Sequence, residues 1–218
     1  MDAYSPTKRT KLKRVPKRAL YDKEGVYAIL DAGVICHVGY VIDGSPYVTP
    51  TAYWRHGNRV YWHGSSASRM LRTLECGVPV CLTVTHLDGF VMARSGFHHS
   101  INYRSVMAFG IAQLVASKTE KIEALEHFTE RLFPGRWKEI RGPNEQEIKA
   151  TKVLWMELEE VSAKVRTGPP VDDEPDYALP CWAGVLPLSI ATGVPVPDPR
   201  LPSGTPLPAY FAGFKLGQ

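Results

Sequence analysis

Residues 34–63 read VICHVGYVIDGSPYVTPTAYWRHGNRVYWH, and the turn signals inside that stretch decide the fold. Residues 34–42 are rich in β-branched and small apolar side chains, and Asp43-Gly44 follows as a dipeptide that closes a two-residue hairpin. The return run, 47–55, ends at a second turn, His56-Gly57-Asn58, and a third run covers 59–63. Strands joined by turns this short lie antiparallel, because a parallel pair needs a crossover of about a dozen residues or more. The expectation is a meander, and a chain that is mainly β (α+β).

On the N-terminal side, residues 22–32 suit a short helix with Asp22 as N-cap and Gly33 at its end. Before it, residues 1–20 form an arm broken by Pro6 and Pro16. On the C-terminal side, residues 65–76 read as a helix that Ser65, Ser66 or Ser68 caps and Gly77 stops, with Met70, Leu71 and Leu74 at helical spacing. Residues 78–85 and 90–94 read as two strands about a hairpin at Asp88-Gly89, and 105–116 as another strand with a bulge at Gly110. From Lys118 the period becomes helical, with Leu125, Phe128 and Leu132 on one face and Pro134-Gly135 as the stop. Pro143-Asn144 opens a short helical piece. Leu154, Met156 and Leu158 then alternate, and the alternation resumes out of phase at Val161, Ala163 and Val165, which predicts a bulge at Glu159-Glu160.

Eleven of the 18 prolines lie between Pro169 and Pro208, too many for regular ladders, yet Trp182, Val185, Leu186 and Leu188 are too apolar for a free linker. The expected organisation is a basic arm over 1–20, a β domain over 21–166, and an extension over 167–218 packed on the domain or on a dimer mate.

With 218 residues, 44% of them hydrophobic, the chain can fold around its own core. No run approaches the roughly 18 apolar residues of a membrane span, and no apolar segment follows the basic N-terminus as in a secretory signal. Cys36, Cys76, Cys81 and Cys181 form no CxxC pair, so the expected compartment is the reduced cytoplasm. Seven cations, Lys8, Arg9, Lys11, Lys13, Arg14, Lys17 and Arg18, stand without an acid between them; removing them from the 26 Lys and Arg leaves 19 against 22 Asp and Glu. A body with that balance is not a general polyanion binder, and nucleic acid is not an expected partner. The arm reads as a solvated tail that packs on a partner subunit.

Two segments carry chemistry. In the first, Tyr61-Trp62-His63-Gly64-Ser65-Ser66-Ala67-Ser68-Arg69, a strand delivers hydroxyls to the start of a helix. Ser65, Ser66 and Ser68 offer donors and Arg69 a cationic fork, a set that suits a phosphate; the plainer alternative is a serine cap beside a solvated arginine. The second, Ser95 to Ser105, packs two His, three Ser, an Asn, a Tyr and an Arg ahead of an apolar strand. Polar groups entering a core need partners, which a ligand supplies, or which an acid supplies to Arg104. Adjacent His98 and His99 point to opposite faces of a strand, so no shared metal is expected. Cys36-His37 reads as a buried small side chain beside a rim histidine, Cys181 as packing, and Glu120, Glu123, Glu126 and Glu130 as a solvated helix face. No GxSxG, HExxH, Walker A or GxGxxG element is present.

In this order and β context, the chain resembles the pyridoxamine-5′-phosphate-oxidase-like flavin-binding family, in its Nim-type (nitroimidazole-resistance-related) branch. Its signposts are Cys36-His37-Val38-Gly39, Tyr47-Val48-Thr49-Pro50-Thr51, Tyr61-Trp62-His63-Gly64-Ser65, Phe97-His98-His99-Ser100-Ile101-Asn102-Tyr103-Arg104-Ser105-Val106, Pro134-Gly135-Arg136-Trp137, Ser162-Ala163-Lys164-Val165-Arg166 and Trp182-Ala183-Gly184-Val185. The resemblance implies a split β-barrel homodimer with FMN, or FAD, in a cleft between subunits. It implies that Tyr47, Val48, Thr49, Pro50 and Thr51 line the flavin ring largely through backbone, that Ser68 and Arg69 meet the phosphate, and that Tyr103, Arg104 and Ser105 border the cofactor. His63 falls at the position beside the ring and is the catalytic candidate; Ser66 joins the cofactor set through the first segment. The substrate-phosphate contacts of the pyridoxamine-phosphate oxidases have no counterpart here, so that oxidation is not expected. The leading expectation is a flavin-dependent oxidoreductase that reduces a small electrophile, nitroreductase-like. The alternatives are a non-catalytic flavin module, and a haem-binding split barrel with His63 or His98 as axial ligand.

Overall fold

The computed structural model describes residues 2–214 and 216, so Met1, Lys215, Gly217 and Gln218, at the tips of the two expected arms, lie outside the described residues. A two-residue strand β1, Ala19–Leu20, leads into helix α1, Lys23–Asp31. The Asp22 carboxylate accepts the Gly25 N–H at 2.7 Å, satisfying one of the donors a helix start leaves open. Strands β2 (Ile35–Ile42), β3 (Ser45–His56) and β4 (Arg59–Ser65) form the expected meander. Asp43 and Gly44 have φ of 49° and 77°, the left-handed pair that a type I′ hairpin loop demands.

Helix α2, Arg69–Leu74, is followed by strands β5 (Pro79–Met92), β6 (Ser100–Ile111) and β7 (Gln113–Leu114). Helices α3 (Lys118–Leu132) and α4 (Glu145–Ala150) precede β8 (Thr151–Glu157) and β9 (Glu160–Arg166), and β10 (Gly184–Pro187) lies in the extension. The strands make one curled antiparallel sheet in the order β1-β9-β6-β5-β2-β3-β4-β8-β7, with β10 added on β5. Strand β3 carries the curl: its first eight residues pair with β2 and its last four with β4. Alternate residues therefore point into a filled interior, among them Cys36, Val38, Tyr53, Val60, Trp62, Leu82, Val106 and Met156, all fully buried. Helix α1 closes that interior with Val26, Ile29 and Leu30, and α2 with Met70, Leu71 and Leu74. Outside the sheet, α3 lies over a second, smaller cluster of Trp54, Val115, Ala124 and Val153. This is a mainly β split barrel with peripheral helices.

Several local expectations change. Asp88-Gly89 makes no hairpin: β5 runs straight through it with a register shift, because β10 arrives from far along the chain to pair with residues 89–92. Gly89 is required there by proximity, since a Cβ would lie 2.9 Å from the Leu186 carbonyl oxygen. Gly110 is no bulge either; it stays in register with Val80 and makes room for Met156, whose side chain a Cβ would meet at 2.8 Å. The phase change at Glu159-Glu160 is a corner at which the chain leaves β4's neighbour β8 for β6's neighbour β9. Strand β6 begins at Ser100, five residues before the expected start, and Cys181 is exposed. The proline-rich extension still supports one four-residue ladder. The N-terminal arm lies on its own domain: Tyr4 is buried with its hydroxyl donating to Asn58 Oδ1 at 2.8 Å, Thr10 is buried, and Arg9 pairs with Glu160 above the Phe109 ring.

Because Gly89 touches backbone, Gly89→Ala is expected to cost about 1–3 kcal/mol and to release β10 first. Hydrogen exchange over residues 184–187 reads this directly: faster exchange there than in the β2–β3 hairpin is the expected result, and uniform protection contradicts it.

Candidate functional site

The loop from β4 into α2 is held from both sides. The Ser66 N–H donates to the Ala150 carbonyl at 2.7 Å, and Ser65 Oγ accepts the Ala67 N–H at 3.2 Å. Ser68 occupies the N-cap position, yet its hydroxyl makes no cap hydrogen bond, so the plain capping role is not what this serine performs. Helix α2 has six residues, and the charge at its start is supplied by Arg69. The Arg69 guanidinium lies over the Tyr47 ring, 4.5 Å from its centroid, and Tyr47 stacks on Tyr40 at 5.7 Å. The Tyr40 and Thr49 hydroxyls are 3.0 Å apart. Among the described residues no carboxylate forms an ion pair with Arg69, unlike Arg55, Arg59, Arg94 and Arg104, each of which has one. An unpaired cation on an aromatic face beside free hydroxyls is a place for an anionic group.

Along β3, Tyr47, Thr49 and Thr51 share one face while Val48 and Pro50 take the other, where Val48 is 67% exposed. His63 lies on the outer face of β4, with ring centroids 5.8 Å from Trp54 and 5.0 Å from Phe128. His63 Nδ1 and Trp54 Nε1 are both buried with no hydrogen-bond partner among the described residues. Orphaned polar atoms of this kind cost about 1–3 kcal/mol each, and two of them on neighbouring rings fit a site that a bound group completes. Burial holds the His63 imidazole below the ordinary histidine value of 6.5, so the ring is neutral at pH 7.

Tyr103, Arg104 and Ser105 lie on β6, separated from β3 by β2 and β5, or roughly 14 Å at the usual strand spacing. A single chain therefore does not join them to Tyr47 and Arg69. Arg104 makes a bidentate pair with Asp88 at 2.9–3.2 Å, which neutralises its charge and raises its pKa; the acid-partner alternative describes it. The Ser105 hydroxyl donates to the Lys164 carbonyl at 3.3 Å. In the turn before β6, His98 approaches Asp173 at 3.4 Å, and His99 Nδ1 lies 2.9 Å from the Ser95 carbonyl oxygen. Cys36 is buried, its thiol pushed up to about 12, while His37 is exposed on the other face, so they form no reactive pair.

Sequence reasoning passes over a second cluster. His56, at the end of β3, and His127, on α3, stack with centroids 4.0 Å apart and planes 12° from parallel. Beside them Arg131 donates to the carbonyls of Tyr53 (3.0 Å), Asp31 (2.9 Å) and Gly33 (2.6 Å). These residues line a cleft of about 600 Å³ whose far wall is Tyr210 and Phe214 of the extension, docked on Phe133. No local pattern could reveal it, because one histidine sits in a turn signal and the other on a helix face that reads as solvated.

A histidine whose pKa is lower folded than unfolded makes the unfolded chain bind protons better on acidification. The stability attributed to a neutral His63 is thus complete above about pH 6.5 and is lost as pH falls below it. Urea unfolding at about pH 7.5 and about pH 5 should show a larger loss for the wild type than for His63→Leu; equal losses contradict the assignment.

Residues 22–165 match the family model described as pyridoxamine 5′-phosphate oxidase. The flavocytochrome Anf3 from Azotobacter vinelandii is 48% identical, covering 98% of this chain and 99% of its own, with a TM-score of 0.92. The FAD and heme binding protein from Mycobacterium smegmatis is 36% identical over 90% of this chain and 96% of its own, with a TM-score of 0.86. A protein assigned to 5-nitroimidazole antibiotic resistance in Bacteroides thetaiotaomicron, 21% identical over 67% of this chain and 86% of its own, shares the fold with a TM-score of 0.55. Among curated proteins there is no match. A barrel of this topology, matched by the family model across α1 to β9, makes the chain a member of the pyridoxamine 5′-phosphate oxidase family.

Proposed function

We propose that this chain binds a flavin, FMN or FAD, together with a haem, and is an oxidoreductase that delivers electrons to a small electrophilic acceptor, a class that includes nitro compounds. The observation that carries this reading is the 48% identity to a flavocytochrome across essentially the whole chain, extension included. The 36%-identical protein named for both FAD and heme supports it independently. A bound flavin supplies hydride and single-electron chemistry. The chain's own residues hold and orient it: Arg69 and the Ser66 and Ser68 hydroxyls take the phosphate, the backbone of Tyr47, Val48, Thr49, Pro50 and Thr51 lies along the ring, and His63 stands beside it.

The reading also calls for a second copy. The register puts Ile35, Val41, Val48 and Met107, each more than 40% exposed, on one face of the sheet. An apolar face of that kind is an interaction surface. A second copy on it covers the face and sets its own β6, with Tyr103, Arg104 and Ser105, against the first copy's β3, which a single chain cannot do.

The cofactor released from purified protein, identified by absorbance and mass spectrometry, tests the reading; a colourless protein that takes up neither flavin nor haemin overturns it. Reduction by NADH or NADPH under anaerobic conditions, followed by turnover of quinones or nitro compounds, separates an enzyme from a non-catalytic module. Arg69→Ala removes a charge-assisted contact worth about 1.5–3 kcal/mol, so flavin affinity should fall roughly 10- to 150-fold; an unchanged Kd speaks against the phosphate role. Light scattering should report a dimer for the wild type and a monomer with little flavin for Val48→Asp, whereas a flavin-loaded monomer contradicts the shared cleft.

A further inference from the structure

We infer that the haem sits in the cleft between α3, the end of β3 and the C-terminal extension, with His127 as its axial imidazole and His56 stacked behind it. This rests on the flavin and haem reading above and adds where the haem is held.

A haem asks for an imidazole with a free nitrogen, apolar walls for the macrocycle, and positive charge near its propionates. The cleft has each. Both His127 and His56 are exposed to it, and neither ring makes a hydrogen bond among the described residues. Two rings 4.0 Å apart and 12° from parallel lie face against face, with no room for a metal held between them. One is therefore the ligand and the other its support. His127 is the ligand because α3 fixes it in a 15-residue helix, whereas His56 ends a strand at a turn through Gly57, whose φ is +59°. Val34, Leu132 and Phe214 supply apolar wall, and about 600 Å³ is room for a macrocycle. Arg131 supplies the charge: its hydrogen bonds go to neutral carbonyls, and among the described residues no carboxylate pairs with it, while Asp31 is committed to Arg55.

The other histidines are less suited. His37 stands exposed on the outer face of β2 and does not line this cleft, His63 is wedged between Trp54 and Phe128, His86 Nε2 lies 2.9 Å from the Ile29 carbonyl oxygen, and His98 and His99 are engaged in the turn before β6. The expectation that His63 or His98 ligates haem is thus replaced. The far wall of the cleft also belongs to the part of the chain beyond residue 165, where the family model ends. The flavocytochrome relative covers 98% of this chain, so nearly all of the extension lies within that match.

The test is a titration of the purified full-length protein with haemin, read by Soret absorbance, flavin content and melting temperature. His127→Gly, and His127→Ala as a variant kinder to the helix, should bind haemin at least about tenfold more weakly, with flavin content and melting temperature retained. Added imidazole should restore the Soret band of the glycine variant, and His98→Ala should bind like the wild type. Wild-type haemin affinity in His127→Gly, or a loss that imidazole does not rescue, overturns the site while the flavin and haem reading stands. A wild-type protein that takes up no haemin overturns both.

Discussion

Arg131 is the fastening on which the arrangement depends. From one turn of α3 it reaches the last carbonyls of α1, the loop after them and the backbone of β3 at Tyr53, with its guanidinium over the Tyr53 ring. Those carbonyls are what a helix end and a bending strand leave unsatisfied. A single planar donor that answers several of them ties three elements that share no sequence proximity. With α3 fixed, Phe128 comes to rest against Trp54 and His63, and His127 against His56. Both proposed cofactor regions are therefore set by the same helix, and among the described residues no acid pairs with the cation that sets them.

The barrel itself leaves little choice about where ligands can go. Its interior is occupied by large side chains, Trp62, Tyr53, Leu82 and Met156 among them, so no small molecule enters it. Chemistry is confined to the mouth, where Arg69 meets Tyr47, and to the outer surface, where the alternation of β2, β3 and β6 presents apolar side chains. On the proposed reading a cofactor is clasped between surfaces, by a second chain on the open sheet face or by the extension across α3.

What the sequence made legible was the local chemistry. Asp43-Gly44, the Asp22 cap, the helix start at Pro143-Asn144 and the Gly135 stop each act within a few residues, and each is found where the pattern put it. Asp88-Gly89 misled because its geometry is dictated by β10, nearly a hundred residues away, and Gly110 because its reason is the bulk of Met156. Proline content argued against any ladder in the extension, but a four-residue edge strand that ends on Pro187 needs no donor from it. The loop of Ser66, Ser68 and Arg69 could be recognised as one contiguous segment, whereas the stacking of Arg69 on Tyr47 could not. The His56–His127 pair was invisible for the same reason: only the packing of α3 joins them.

On the proposed reading, one small barrel carries a flavin and a haem at separate places close to the same helix. The most direct measurement is to add haemin to flavin-loaded protein, follow bound-flavin fluorescence and Soret absorbance together, and then separate free from bound cofactor by ultrafiltration. The expected result is a Soret band that saturates at one haem per chain while the flavin stays with the protein and its fluorescence is quenched. Haemin that drives the flavin into the filtrate, or that binds without affecting its emission, contradicts it.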